Sequence, residues 1–440
     1  MMCQRINECG HAFLISLHHM ISRINWRFMS VNEKSEKVLE QYDIGIRRMV
    51  RGRGGIIVMT DKGCKLFIQC DKADKYYERE NRITELLSRT GYTCIDTYMR
   101  NKNGLLISED EDGRKYIMKN WFDAKESNVR DENDMCMAVS AMAYMHMALR
   151  KISPDELYVY SDSYKADSNV KLSDKEESQD TLYTEKNAEL RACQKAKKAG
   201  DSGIKNRDIT NITGGTDITG SSDRKKEKSY ELKNRGEGLK KGETELRKTY
   251  AKHTRELKKA YNYLRQKKGR QPFEQMAFKN IEVFYEEACR ACEHLMSDTF
   301  DKRLMMAAQN MELSHGSYTY HNVLINGKAT YVVNFDRYRN ECQINDLYQF
   351  IRKVMEKYNW DSRMFYRLVD EYDRICPLTD EEMELLLVLL SYPEKFWKII
   401  NQYINSNKSW IPEKNVEKLR KVIEQNGRKR ELIDKICCVW

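Results

Sequence analysis

No stretch of the 440 residues approaches the roughly 18–20 uninterrupted apolar residues that a membrane helix needs, which excludes a helical span of a bilayer. Cysteine is sparse for a disulfide-stapled domain. Thirteen are scattered from Cys3 to Cys438, mostly in apolar surroundings, and this fits reduced thiols in a cytosolic setting. The short apolar run Ala12–Leu17 ends at His18 and His19 with no small-residue cleavage site after it, so the opening does not read as a secretory signal. Residues 1–28 are expected to be a non-native or disordered extension, with Met29 as the start.

The net charge of +10 belongs to one segment. Residues 224–270 hold eighteen Lys or Arg against six Glu, a net of +12, which leaves the remainder at −2. Interleaved Glu and Lys in Glu243–Lys248 and Arg255–Lys259 suit a solvated helix face. A polyanion-binding arm is the alternative, although only Tyr250, Tyr261 and Tyr263 supply aromatic interleaving. Nucleic acid is not expected as a partner of the fold.

At 440 residues the chain has room for two or three domains. After a helix at Ser35–Tyr42, strands are read at Ile44–Val50, Gly55–Thr60, Lys65–Cys70 with its alternating character, Gly104–Ser108 and Lys115–Lys119. One charged helix, Asp74–Ser88, interrupts them. This makes a small antiparallel sheet with a single long helix. Glu132–Arg150, rich in Met, opens a helical region and is expected in a core. Residues 160–248 have too little apolar surface to offset ordering entropy and read as a disordered polar, basic insertion. From 249 to 440 the pattern is helical. The boundaries expected are therefore 1–28, 29–119, 120–159 for a hinge and first large-lobe helix, 160–248 and 249–440. Small sheet plus helix, then a mostly helical half, suggests an α+β bilobed kinase-like fold.

Residues 311–336, MELSHGSYTYHNVLINGKATYVVNFD, sharpen this. His315-Gly316 opens a loop, Asn322 follows seven residues after the histidine, and Asn326-Gly327 makes a hairpin turn. The apolar strand Thr330–Val333 then ends in Asn334-Phe335-Asp336. A catalytic loop, a hairpin and a metal-binding strand end occur in this order in kinases, where carboxylates orient the nucleophile and hold Mg²⁺. With RGRGG at Arg51–Gly55, HTREL at His253–Leu257, and the long stretches Asp346–Trp360 and Tyr392–Trp410, the chain resembles the CotS family of spore coat proteins, which is similar to aminoglycoside and choline phosphotransferases. The resemblance implies ATP and Mg²⁺ as cofactors if the site works, and a structural aspartate at Asp346. An ordinary helix N-cap is the other role open to that residue.

The departures weigh against catalysis. Ser317 stands where the family has its base Asp, and Asn334 where it has a metal-binding Asp. Loss of a positioned base typically costs about 10²–10⁴ in rate. Asn322, Asn334 and Asp336 are the candidate metal ligands, and strand alternation would put Asp336 beside Asn334. In the small lobe the expected phosphate-pairing lysine position falls on Ile68 or Gln69, so Lys65 serves only with a shifted register. Glu78, Glu80 and Glu85 are candidate partners that otherwise read as solvated charges. Gly52 and Gly54 can approach a phosphate or simply make a hairpin. Cys289-x-x-Cys292 with His294 spells half a zinc site inside a helical run. Cys437 and Cys438 read as either exposed or packed in a terminal turn. Tyr392, Phe396, Trp397 and Trp410 read as packing or as a partner surface. The resemblance implies a degenerate site and a structural role during sporulation, in the mother-cell cytoplasm and then the spore coat, with other coat proteins as partners. An active ATP-dependent phosphotransferase is the alternative.

Overall fold

The computed structural model describes residues 33–52, 54–153, 156, 244–406 and 413–437. The chain divides into two units, Met1–Ser153 with Leu239–Trp440, and Pro154–Gly238. Everything below except Glu156 belongs to the first. The expectations for residues 1–28, for Trp410 and Cys438, and for all of 160–248 except its last five residues lie outside the described residues.

The N-terminal region is an antiparallel sheet with one helix on each face. Strands β1 (Ile46–Gly52), β2 (Gly55–Thr60), β3 (Gly63–Gln69), β4 (Tyr98–Met99), β5 (Ile107–Glu109) and β6 (Lys115–Asn120) assemble in the order β1-β2-β3-β6-β4, with β5 also on β6. Helix α1 (Glu33–Leu39) sends Val38 and Leu39, with Tyr42 just beyond it, against Val58, Phe67, Tyr116 and Met118. Helix α2 (Asp74–Arg89) buries Tyr77, Glu80, Thr84 and Leu87, the i, i+3, i+4 spacing of one helical face. Tyr77 joins Tyr98, Leu106 and Ile117 on the sheet's other side. The strand expected at Gly104–Ser108 begins only at Ile107, because the Asn101 side chain accepts the N–H groups of Asn103 and Leu105 and closes a turn there.

A short strand β7 (Lys125–Glu126) leads into α3 (Glu132–Leu149), capped by Asp131, which accepts from the N–H groups of Asn133 and Asp134. Met135, Val139, Met142 and Met145 are buried as expected, whereas Met147 is exposed. Helix α4 (Glu245–Gln266) starts four residues earlier than the boundary drawn at 249, because Thr244 caps it, its hydroxyl accepting from Arg247. Pro272 at the first position starts α5 (Pro272–Met296). Cys289, Cys292 and His294 lie on this helix. Among the described residues no group of three or more His, Cys, Asp and Glu side chains is placed to hold a metal ion. Helix α6 (Asp301–Gln309) precedes the site region, where β8 (Leu313–Ser314) pairs with β11 (Arg339–Asn340), and β9 (Val323–Asn326) pairs with β10 (Ala329–Val332) and β7.

Helices α7 (Ile344–Met355), α8 (Ser362–Asp373), α9 (Asp380–Ser391), α10 (Glu394–Ile404) and α11 (Glu413–Cys437) complete the chain. Tyr392, Phe396 and Trp397 are buried, so they pack rather than form a surface, and Cys437 is exposed. No described helix is long and apolar enough to cross a membrane.

One buried cation in this half is structural. Lys429 of α11 donates to the carbonyls of Ser391 (2.8 Å) and Tyr392 (3.1 Å), at the C-terminal end of α9. Burial pushes its amine down to about 8. Folding therefore releases a proton between pH 8 and the ordinary lysine range near about 10.4, and stability contributed at this site rises with pH across that window. Urea titrations of the wild type and Lys429→Met should show the wild type gaining relative stability from pH 8 to 10. A difference that does not change with pH would mean the amine stays charged.

Candidate functional site

The loop after β8 is held by one carboxylate. Asp346, in the first turn of α7, accepts the backbone N–H groups of His315 (2.6 Å) and Gly316 (3.0 Å), and its Oδ2 lies 3.2 Å from His146 Nε2 of α3. The N-cap of α7 is Gln343, so the Asp346 side chain faces the loop instead of capping its own helix. Burial alone would raise this carboxyl. The His146 ring and the His315 N–H outweigh burial and hold it below the usual carboxylate range.

His315 is wholly buried, its Nε2 3.1 Å from the Val333 carbonyl while its Nδ1 accepts the Ser317 N–H at 3.3 Å. The proton therefore sits on Nε2, and burial keeps the ring neutral by lowering its pKa. Asn322 Nδ2 donates to the Ser317 carbonyl, and Asn334 Nδ2 donates to Asn322 Oδ1, each at 3.0 Å. The loop and the strand end thus meet through two amides.

Asp336 does not join them. The strand ends at Val332, Asn334 is left-handed at φ 67°, and Phe335–Arg337 form a 3-10 turn. Alternation is lost, and the Asp336 carboxylate pairs with Lys72 at 2.8 Å on the partly exposed rim.

The small-lobe cation is a residue that the strand-order argument missed. Lys119 of β6 is 3% exposed, with Nζ 2.6 Å from Glu80 of α2 and 3.0 Å from Asp96. Tyr98 donates to the second oxygen of Glu80 at 2.6 Å. Lys119 is in register with both Leu66 and Tyr98, which puts it on the sheet face that α2 covers. Glu80 is therefore a buried ion-pair partner and not a solvated charge. Burial opposes the Lys119 charge, but Asp96 and Glu80 together hold its pKa above the ordinary lysine range. Burial pushes Asp96 up, to about 6, against the pull of Lys119. Asp96 also accepts the Asn334 N–H, with both oxygens at 3.2 Å.

Lys65 is no substitute. It is in register with Asn120, on the opposite face, and donates to Asn120 Oδ1 (2.8 Å) and the Lys62 carbonyl (2.7 Å). Gly52 and Gly55 pair across a two-residue turn, and a Cβ on Gly55 would lie 2.4 Å from the Phe67 carbonyl. Close strand approach accounts for glycine there. The periodicity of α2 could have selected Glu80 over Glu78 and Glu85, whereas Lys119 carries no local signal.

This donor set does not suit Mg²⁺ beside a polyphosphate. Two amides offer no charge, Asp336 is paired with Lys72, and Asp96 is committed to Lys119 and a backbone N–H.

The fold is that of aminoglycoside phosphotransferases. The enzyme of that name from Alicyclobacillus acidocaldarius superposes with a TM-score of 0.64 at 11% identity, over 91% of this chain and 94% of that one. The AMP-bound spectinomycin phosphotransferase superposes with a TM-score of 0.51 at 12% identity, over 90% and 96%. Spore coat protein S of Bacillus subtilis is 32% identical over 93 residues, which are 21% of this chain and only 26% of that protein's length. No family model matches the chain.

Gly316 tests how tightly the loop is built. At φ +71° a Cβ would fall 1.9 Å from the Arg337 carbonyl oxygen, whereas Gly327 at φ +58° faces open space. Gly316→Ala should lower stability by about 2 kcal/mol or more, against about 1 kcal/mol for Gly327→Ala, read from denaturant midpoints. Equal costs would mean the loop is free to move away.

Proposed function

We propose that this chain is a CotS-type spore coat protein that keeps the phosphotransferase fold as a scaffold, with an assembly role during sporulation. The observation that carries the reading is the charge arrangement of the cleft. Lys119, buried on the sheet face under α2, is already shared by Glu80 and Asp96, and the positions of the base and the metal ligand carry Ser317 and Asn334. A kinase lysine is paired with one glutamate, and with Asp96 as a second carboxylate on Lys119 a nucleotide's phosphates would meet a net negative cluster. The stretch shared with spore coat protein S supports a place in the coat, reached from the mother-cell cytoplasm, with other coat proteins as partners.

A weak ATP-dependent phosphotransferase is the second reading, favoured by the retained Asp346–His315 loop frame. It would require Asp96 to release Lys119.

In a sporulating host, the Asn322→Ala protein should be recovered from the coat fraction in wild-type amount. Loss of 413–437, which removes α11, should abolish recovery. If folded Asn322→Ala protein fails to enter the coat, the loop's chemistry matters and the scaffold reading falls.

A further inference from the structure

Helix α11 carries a charged stripe that takes no part in the cleft. Lys414, Glu417, Lys421, Glu424, Arg428 and Glu431 alternate in sign at steps of three and four residues. A coiled coil has apolar residues at that spacing, which keeps a stripe on one helix face with a drift of only about 20° per heptad. All six residues are exposed.

The spacing also suits a ladder of ion pairs within the helix, because a Glu stands four residues before Lys421 and before Arg428. The structure closes that ladder at one end only. Glu431 pairs with Lys435 at 2.7 Å, whereas Lys414, Glu417, Lys421, Glu424 and Arg428 make no ion pair among the described residues. Gln425, buried beneath the stripe, donates its Nε2 to the Glu356 carbonyl at 3.2 Å and seats α11 against the turn after α7. Glu417, Lys421, Glu424 and Arg428 then line, with Lys357, a groove of about 610 Å³.

The order of signs is antisymmetric about the midpoint between Lys421 and Glu424. Laying a reversed copy of the helix on the stripe sets Lys421 opposite Glu424, Glu417 opposite Arg428 and Lys414 opposite Glu431. A parallel copy in register sets every charge against its like, which is repulsive. The antiparallel pairing is reciprocal, residue by residue, as a two-fold axis requires.

We propose that two copies of this chain associate through α11, antiparallel about a two-fold axis between Lys421 and Glu424. Lys357 adds a cation to the groove that receives the second copy's carboxylates. Exposed ion pairs are weak singly, so the dimer is expected at protein concentrations of about 100 µM or more at low salt. The contact goes beyond the scaffold reading, because self-association does not depend on what the cleft binds.

Sedimentation equilibrium of the full chain tests it. A monomer–dimer equilibrium is expected, weakened about tenfold or more as ionic strength rises from about 0.05 to 0.5 M. Lys421→Glu and Glu424→Lys should each weaken association by about tenfold or more, since the two-fold axis makes each clash occur twice. The chain carrying both changes should recover association to within about twofold, a rescue that a folding defect would not give. A chain that stays monomeric at about 0.5 mM would overturn the proposal. So would a dimer that neither single reversal weakens, or a double variant as weak as the singles. Association that strengthens with salt would also overturn it, in favour of an apolar face.

Discussion

A lysine with two carboxylates, buried between sheet and helix, is the contact on which the two halves of the cleft depend. Lys119 draws Glu80 of α2 onto the sheet and holds Asp96 in place. Asp96 then accepts the N–H of Asn334, at the end of the opposite strand. Each ion is costly to bury alone. Removing one member of a buried pair typically costs about 3–5 kcal/mol, because the other is left uncompensated. The cluster sets two carboxylates against one lysine, and burial, with Glu80 adding to it, raises the pKa of Asp96 against the pull of Lys119. The arrangement ties the small lobe to the strand end through these ions and one backbone N–H.

On the other side of the cleft one carboxylate and one imidazole hold the loop's backbone. Asp346 organises two consecutive backbone N–H groups, and neutral His315 ties the loop to Val333. These contacts fix backbone, and backbone geometry is indifferent to whether residue 317 is Asp or Ser. The loop's architecture is separable from its chemistry for that reason.

The fold was legible because its signals are local. Alternation at Lys65–Cys70 marked β3, the Asp61–Gly63 turn marked its hairpin with β2, and the charged run Asp74–Ser88 marked α2. The loop residues were legible through their spacing. Lys119 was not, since its role comes from cross-strand register with Leu66 and Tyr98, which no single strand reveals. Asp96 has no motif at all, and the left-handed Asn334 broke the alternation that would have aimed Asp336 into the cleft. Long-range pairing and one backbone angle therefore decided the site.

The measurement that bears most directly on this account is a calorimetric titration of ATP, with and without Mg²⁺, into the wild type and Asp96→Asn. The ion cluster predicts no saturable binding to the wild type at millimolar ATP, and binding gained once Asp96 no longer neutralises Lys119. Micromolar, Mg²⁺-dependent binding to the wild type would contradict it and return the chain to the working phosphotransferases.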